Sequence, residues 1–260
     1  MLIALAAAGV LVLGVGAWAL GAVLPPDSTP VRAALTARPA PAASPSAIAV
    51  SMPTTPAFDK RANSIDDPSS IWVVVNKSRP LNPQTYVPPE LVQPPVANIH
   101  DQPVRHVVSD ALTAMFAAAK SGAGLSLALQ SGYRSYDMQV NDYNGDVAAH
   151  GRAYADSDTA RPGHSEHQTG LAVDISAASG RCSLDACFGQ TPEGQWLAAN
   201  AWRFGFLLRY PQGKEAVTGF TYEPWHFRYV GIPLSTELHD TGVTTLEEFF
   251  GVPGGETYSG

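Results

Sequence analysis

The sequence predicts an α+β fold, because segments of helical and of strand character follow one another without the regular strand–helix–strand alternation of parallel sheets. With 45% hydrophobic residues and five Trp in 260 residues, the chain can bury a sizeable core. Acidic residues outnumber basic ones by 23 to 16, so a nucleic-acid partner is not expected. Two Cys exclude a disulfide-rich scaffold and a four-Cys zinc site.

Two segments precede the predicted globular part. Residues 1–24 are uncharged and almost continuously apolar, which meets the length of about 20 residues that a membrane span requires. We therefore expect an N-terminal membrane anchor or an uncleaved signal segment. Residues 25–60 hold eight of the 22 prolines and few large apolar residues, which is typical of an extended linker. Residues 61–260 are expected to form the globular domain.

Within that domain, short β-rich or apolar runs predict the strands. These runs are Ile71–Val75, Leu125–Leu129, Leu171–Ile175, Phe206–Arg209 and Trp225–Val230. Seven prolines between Pro80 and Pro103 predict irregular structure in that stretch, since proline cannot donate to a strand ladder.

Three segments predict helices. Residues 107–120 carry apolar side chains at helical spacing, and Gly122 supplies a stop. Residues 136–155 read as a helix weakened by Gly145. Pro192 at a first helical position opens a helix that runs to about Phe204.

Chemically reactive residues concentrate in two segments, residues 163–174 and 222–229. His167, Asp174 and His226 could supply two imidazoles and a carboxylate, a sufficient zinc set that leaves a fourth position open. Such an ion lowers the pKa of its water to about 7, and a nearby carboxylate can then accept the proton. Glu223 is the candidate base.

The spacing of Glu223 and His226 sets a structural condition. Residues three apart on a regular strand face opposite sides, so these two side chains could not share a site on one. Pro224 lies between them and removes a ladder donor, which makes a bend there plausible. Beyond the bend, His226 and Arg228 would face the same side of the strand.

The joint pattern resembles a known family. Residues 165–174 read S-x-H-x-x-G-x-A-x-D, residues 223–226 read E-P-W-H, and residues 131–135 read S-G-Y-R-S with Gln139 after them. This combination is similar to the zinc D-alanyl-D-alanine carboxypeptidases of the vancomycin-resistance type. The resemblance covers about residues 70–232, and each signature position holds the expected residue type.

The resemblance implies one Zn²⁺ ion bound by His167, Asp174 and His226, with Glu223 as the catalytic base. It also implies a small antiparallel sheet with helices packed on it and a zinc site in a cleft on the sheet. Lysostaphin-like peptidases and the hedgehog signalling domain share that fold.

The family pattern places Arg134 in the cleft as a catalytic and substrate-binding residue. Its planar guanidinium can pair bidentately with a carboxylate or hold a developing oxyanion, and the sequence leaves the two roles open. Gln139 and Ser165 are expected to complete a pocket for the terminal carboxylate of the peptide.

The implied activity is removal of the terminal D-Ala from peptidoglycan stem peptides, outside the cytoplasmic membrane in a bacterial cell envelope, by a membrane-anchored or secreted protein. An L,D-carboxypeptidase, a cross-link endopeptidase and a non-catalytic zinc-containing wall-binding module stay open as alternatives. Glu223 argues against the last, since a structural zinc site needs no base. The serine-dependent route is excluded, because none of the four Lys has a Ser three positions before it. The implied partners are stem peptides and, through the N-terminal segment, the membrane; we expect a monomer.

Cys182 and Cys187 lie close together after the Asp174 strand. Outside the membrane two neighbouring cysteines usually pair, so we expect a local disulfide. A role as metal ligands is the weaker alternative, because the His-Asp-His set is already complete.

Overall fold

The computed structural model describes residues 57–258. The strands are β1 (Leu91–Val92), β2 (Val104–Arg105), β3 (Leu127–Ser131), β4 (Ala172–Ala177), β5 (Phe206–Leu208) and β6 (His226–Tyr229). The helices are α1 (His106–Ala123), α2 (Tyr136–His150), α3 (Arg152–Asp158), α4 (Pro192–Asn200), α5 (Glu215–Thr218), α6 (Ile232–Thr241) and α7 (Leu246–Phe250).

The anchor predicted at residues 1–24 lies outside the described residues, as does most of the linker predicted at residues 25–60. Of the helices in residues 57–258, none has the length and apolar character needed to cross a membrane.

A four-stranded antiparallel sheet forms the centre of the fold, with strand order β3-β4-β6-β5. A second, two-stranded antiparallel sheet pairs β1 with β2. Helix α1 packs its buried face, with Leu112 and Met115, into one core with Ile175 of β4 and Phe227 of β6. The α+β prediction with a small antiparallel sheet is confirmed.

The register of the sheet brings the two reactive segments together. Asp174 on β4 lies directly opposite His226 on β6. On the other side of β4, an irregularity between Leu129 and Ser131 shifts the register of β3, so that Ser131 pairs with Asp174. Asp174 and His226, 52 positions apart in sequence, therefore meet at one point of the sheet.

A second core lies under the C-terminal helices, for which the sequence analysis made no prediction. Leu234 and Leu238 of α6 and Leu246 and Phe249 of α7 pack with Trp72. The Thr245 hydroxyl caps α7 by accepting from the N–H of Glu248.

The strand predicted at Ile71–Val75 is wrong. These residues are mostly buried, yet they form no strand. Arginine side chains take the place of a neighbouring strand as donors: Arg228 donates to the Val73 carbonyl at 2.8 Å, and Arg209 to the Val75 carbonyl at 3.4 Å. An apolar run can thus be buried with its carbonyls satisfied and without ladder pairing.

The single helix predicted over residues 136–155 is divided in two at Gly151. Gly151 has a φ of +88°, a backbone angle that residues other than glycine rarely adopt. Gly145, in contrast, lies inside α2 without interrupting it. The helix that Pro192 opens ends at Asn200 and continues as a 3₁₀ turn, Ala201–Phe204. The remaining predicted strands and the first helix are present, and their ends differ from the predicted ones by at most three residues.

Candidate metal centre and active site

A 3₁₀ turn, Glu166–Thr169, presents His167 just before β4. The turn ends at Gly170, which has a φ of +66° and lets the chain reverse into the strand that carries Asp174. A Cβ at Gly170 would also lie 3.0 Å from Cγ of Arg105, so a larger residue would have to displace that side chain. The signature glycine therefore fixes the direction in which His167 leaves the turn.

The bend predicted at Pro224 is present. The N–H of His226 donates to the carbonyl of Glu223 at 3.1 Å, which closes a turn over Pro224 and Trp225 before β6 begins. As a result, Oε2 of Glu223 lies 3.7 Å from Nδ1 of His226. The two side chains share one site although they are three residues apart.

His167, Asp174 and His226 form a compact, buried donor set. The Asp174 carboxylate lies between the rings, with Oδ2 3.3 Å from Nε2 of His167 and Oδ1 3.1 Å from Nδ1 of His226. One donor atom from each residue lies within 4.8 Å of the others. Two imidazole nitrogens and one carboxylate oxygen at this separation fit a metal ion such as zinc.

The orientation of His167 is set from outside the donor set. Its Nδ1 lies 2.8 Å from the carbonyl of Gly132, a geometry that a ring N–H donor satisfies. The proton on Nδ1 leaves Nε2 as the lone-pair nitrogen, which points toward Asp174. The backbone of β3 and its extension thus select the nitrogen that a metal would contact.

The pKa values of the two carboxyl groups of the site, Glu223 and Asp174, are shifted in opposite directions. Burial is the main cause that raises the pKa of Glu223 to about 8. His226 and Arg134 act to lower this pKa, and the negative charges of Asp174 and Asp158 act with burial to raise it. Burial also acts to raise the pKa of Asp174, but the adjacent His167 and His226 outweigh it and hold the pKa well below its ordinary value. Asp174 is therefore suited to be an ionised ligand and Glu223 to exchange a proton near neutral pH.

A cleft opens over the donor set, and the residues that the resemblance implies for substrate binding, Arg134, Gln139 and Ser165, are among those that line it. The guanidinium of Arg134 donates through Nη1 to Oε1 of Gln139 at 3.2 Å, and its Nε lies 3.2 Å from Oδ2 of Asp142. Gln139 in turn donates to the carbonyl of Ala160 at 2.7 Å. A cation and an amide are held side by side beside the metal ligands.

Cys182 and Cys187 form a disulfide, with 5.5 Å between their Cα atoms. The loop that it closes carries Leu184, which lines the cleft with 46% of its surface exposed. The disulfide therefore belongs to the wall of the cleft and not to the metal centre.

Four charged residues behind the donor set had no role in the sequence analysis. Glu166, Arg209, Arg228 and Glu247 are all buried, and we call them the buried ion cluster. Glu166 adjoins His167 in sequence, and Arg228 follows His226 by two residues, on the same side of β6. The position of Arg228 on the same side of β6 as the ligand His226 is the sequence signal that could have indicated its place near the site. Arg209 and Glu247 reach the cluster from distant segments, and no such signal marks them.

The family described as VanY, D-alanyl-D-alanine carboxypeptidase, matches residues 101–232 of the chain, which include all of the residues that form the donor set and line the cleft with Glu223. The chain belongs to the VanY family. It is accordingly a carboxypeptidase, a hydrolase.

Proteins similar to this chain include an LD-carboxypeptidase and a D,D-pentapeptidase. YodJ of Bacillus subtilis is 44% identical over 191 residues, which are 72% of this chain and 69% of YodJ. The solved LD-carboxypeptidase LdcB is 44% identical, with a TM-score of 0.66 over 72% of this chain and 89% of LdcB. A VanY D,D-pentapeptidase variant in complex with Zn(II) is 36% identical, with a TM-score of 0.57 over 68% of this chain and 97% of that one.

Proposed function

We propose that this chain is a zinc-dependent carboxypeptidase that removes the C-terminal D-Ala from peptidoglycan stem peptides, with the D-Ala-D-Ala bond as its preferred bond. The observation that carries the proposal is the convergence of His167, Asp174, His226 and Glu223 in one cleft beside Arg134. The Zn(II) complex of the related VanY variant supports the choice of metal.

The proposed roles follow from the positions of the side chains. His167, Asp174 and His226 hold one zinc ion, which supplies a Lewis acid and lowers the pKa of water when it is bound. Glu223 accepts the proton of the attacking water and returns it to the leaving amine, a transfer suited to a carboxyl group with a raised pKa. Arg134, with Gln139 and Ser165, holds the terminal carboxylate of the substrate in place.

We also propose that the enzyme acts outside the cytoplasmic membrane, attached through residues 1–24 and a linker. The Cys182–Cys187 disulfide supports this location, because disulfides persist in oxidising compartments. The substrate, a polymer of the cell wall, lies on the same side.

An L,D-carboxypeptidase is the second candidate. The greater similarity to LdcB than to the VanY variant, 44% against 36% identity, favours it. Both candidates release D-Ala and differ in the residue before the scissile bond, which is a D-residue in the pentapeptide and an L-residue in the tetrapeptide.

The first experiment incubates the purified, zinc-loaded chain separately with a stem pentapeptide ending in D-Ala-D-Ala and with the matching tetrapeptide. Free D-Ala is quantified with and without a chelator. Chelator-sensitive release from the pentapeptide is the expected result, and release mainly from the tetrapeptide would move the assignment to the L,D-bond. Release from neither, with zinc bound, would indicate an endopeptidase or a binding module.

The role of Glu223 is tested with Glu223→Gln, which keeps the shape of the side chain and removes the base. General-base catalysis contributes about 10²–10⁴-fold, so kcat should fall by that factor while the zinc content stays at one ion per chain. Glu237→Gln is the matched control, since Glu237 lies on α6 and does not line the cleft. Retention of full activity in Glu223→Gln would contradict the proposed role.

A further inference from the structure

Glu166 is a fully buried carboxylate whose two oxygens have different surroundings. Oε1 accepts hydrogen bonds from Nε of Arg209 at 2.8 Å and from Nη1 of Arg228 at 2.9 Å. Oε2 has no hydrogen-bond partner among residues 57–258. One oxygen is therefore bound by two cations, and the other is free to accept from a further donor.

The second unpartnered atom at this place is Nε2 of His226. It is buried, has no hydrogen-bond partner within the described part of the chain, and lies 3.5 Å from Oε2 of Glu166. A buried polar atom left without a partner destabilises the fold, because it has lost its hydrogen bonds to water. A proton on Nε2 satisfies both atoms at once, because the ring N–H then faces the free carboxylate oxygen.

The position of that proton decides what the other ring nitrogen can do. With the proton on Nε2, Nδ1 of His226 carries a lone pair directed at the donor set, where Asp174 Oδ1 lies at 3.1 Å and Glu223 Oε2 at 3.7 Å. With the proton on Nδ1, the ring would donate to Asp174, and its lone pair, on Nε2, would face Glu166 and not the donor set.

We propose that Glu166 is a positioning residue that holds His226 in the tautomer whose Nδ1 binds the metal. The inference rests on the proposed function, since it requires a metal at the donor set. His167 has the equivalent arrangement with the opposite nitrogen: the Gly132 carbonyl engages Nδ1 and leaves Nε2 for the metal. Each ligand ring is thus fixed at the atom that faces away from the site.

The rest of the buried ion cluster compensates the charge of the Glu166 carboxylate and holds it in place. Arg209 is bound in addition by both carboxylate oxygens of Glu247, at 2.9 and 2.6 Å. Arg228 donates also to the carbonyls of Ile71 and Val73, at 3.1 and 2.8 Å. Since both arginines are anchored elsewhere, the carboxylate between them has little freedom to leave His226.

The test compares Glu166→Gln with Glu247→Gln in the full chain. Both substitutions remove one negative charge from the buried ion cluster, but only Glu166 contacts His226. An amide at position 166 can donate to Nε2 of the ring and so favour the proton on Nδ1. We expect zinc affinity, measured by competition with a chelator of known affinity, to fall about 10–100-fold in Glu166→Gln, the effect typical of outer partners of metal ligands.

Glu247→Gln should lower the melting temperature but weaken zinc binding much less than Glu166→Gln does, because Arg228 still donates to Oε1 of Glu166. Equal zinc affinity in both variants would overturn the inference. If the unchanged chain binds no zinc, the proposed function fails first, which distinguishes the two failures.

A measurement on the unchanged, zinc-loaded chain covers the case in which Glu166→Gln does not fold. Nitrogen-15 NMR of the histidine rings should show a proton on Nε2 of His226 and a metal-shifted Nδ1. A proton on Nδ1 of His226 would overturn the proposal independently of any variant.

Discussion

Arg134 is held at both its backbone and its side chain beside the metal centre. Its N–H donates to the carbonyl of His167 at 3.3 Å, while its guanidinium contacts Gln139 and Asp142. Two edges of the guanidinium are therefore engaged in orienting the group. A planar cation oriented in this way can present a fixed pair of donors to a carboxylate or an oxyanion.

We predict that Arg134→Lys lowers kcat/KM about 10–100-fold, because lysine keeps the charge but cannot contact Gln139, Asp142 and the substrate in one geometry. The factor corresponds to the loss of one hydrogen bond to a charged group, about 1.5–3 kcal/mol. Steady-state kinetics also separate the two roles: a rise in KM indicates the terminal carboxylate, and a fall in kcat the oxyanion. Arg203→Lys, at an exposed position on the 3₁₀ turn after α4, is the control. Near-normal kinetics in Arg134→Lys would refute the bidentate role.

The individual site residues were predictable to different degrees. That His167, Asp174, His226 and Glu223 lie together could be predicted, because their residue types suit metal ligation and proton transfer and their motifs resemble those of a known family. The contact between Glu166 and His226 could not, since it depends on the β4–β6 register and on Arg209, which joins from another strand end. A sequence motif can thus indicate the residues that chemistry requires, but it does not indicate which buried side chain contacts them in the fold.

At the scale of elements, the junction between the 3₁₀ turn and β4 determines the direction of His167. Gly170 occupies it with a φ of +66° and with Arg105 and Leu91 side chains packed where a Cβ would lie. A glycine inside a helix, such as Gly145 in α2, has the opposite character: open space surrounds the position of its absent Cβ.

The same substitution should therefore have opposite effects at these two glycines. Gly170→Ala is expected to lower the free energy of unfolding by about 1–3 kcal/mol, through the left-handed backbone and the displaced neighbours, and to weaken zinc binding. Gly145→Ala is expected to raise it by about 0.5–1 kcal/mol, because alanine loses less backbone entropy in a helix. Denaturant unfolding and chelator competition measure both. A Gly170→Ala variant with unchanged stability and zinc affinity would show that the turn does not depend on glycine.

The elements that sequence reasoning placed incorrectly share a physical cause. Burial and β-rich composition predicted a strand at Ile71–Val75, but arginine donors from the sheet satisfy the carbonyls of that segment instead. The break after α2 falls at Gly151, where the backbone has a positive φ, and not at Gly145, where a helix tolerates glycine. In both cases a tertiary contact or a backbone angle, neither visible in local composition, decided between alternatives of similar propensity.

At the scale of the whole molecule, the segment after residue 232 stabilises the site although it lies beyond the part that matches the family. Glu247 of α7 holds Arg209 of the buried ion cluster and also accepts from Asn76 at 2.8 Å. Tyr258 accepts from the N–H of Arg161 at 2.9 Å and packs edge-on against His164. The C-terminal residues thus contact the buried ion cluster and the segment that leads into the 3₁₀ turn of His167.

His164 is buried against Tyr258, and we expect its ring to make the stability of the protein depend on pH. Burial lowers its pKa, the hydrogen bond to the Asn76 carbonyl opposes that shift, and the nearby cation of Arg161 lowers the pKa further. The unfolded chain therefore takes up this proton at a higher pH than the folded protein does. The contribution of the neutral ring to stability is fully present above about pH 6.5 and is lost as the pH falls through and below that value.

We predict that His164→Gln, which keeps a donor for the Asn76 carbonyl and does not titrate, makes the protein less sensitive to acid. Below about pH 6.5 the buried histidine can cost up to about 1.4 kcal/mol per pH unit, until the folded form is itself protonated. Melting temperatures at pH 7.5 and 5.5 should therefore differ less in the variant than in the unchanged chain, with both proteins saturated with chelator so that zinc binding does not contribute. Parallel loss of stability in the two proteins would contradict the prediction. It would show that the pKa of His164 is the same in the folded and the unfolded chain, and that packing against Tyr258 and Arg161 does not lower it.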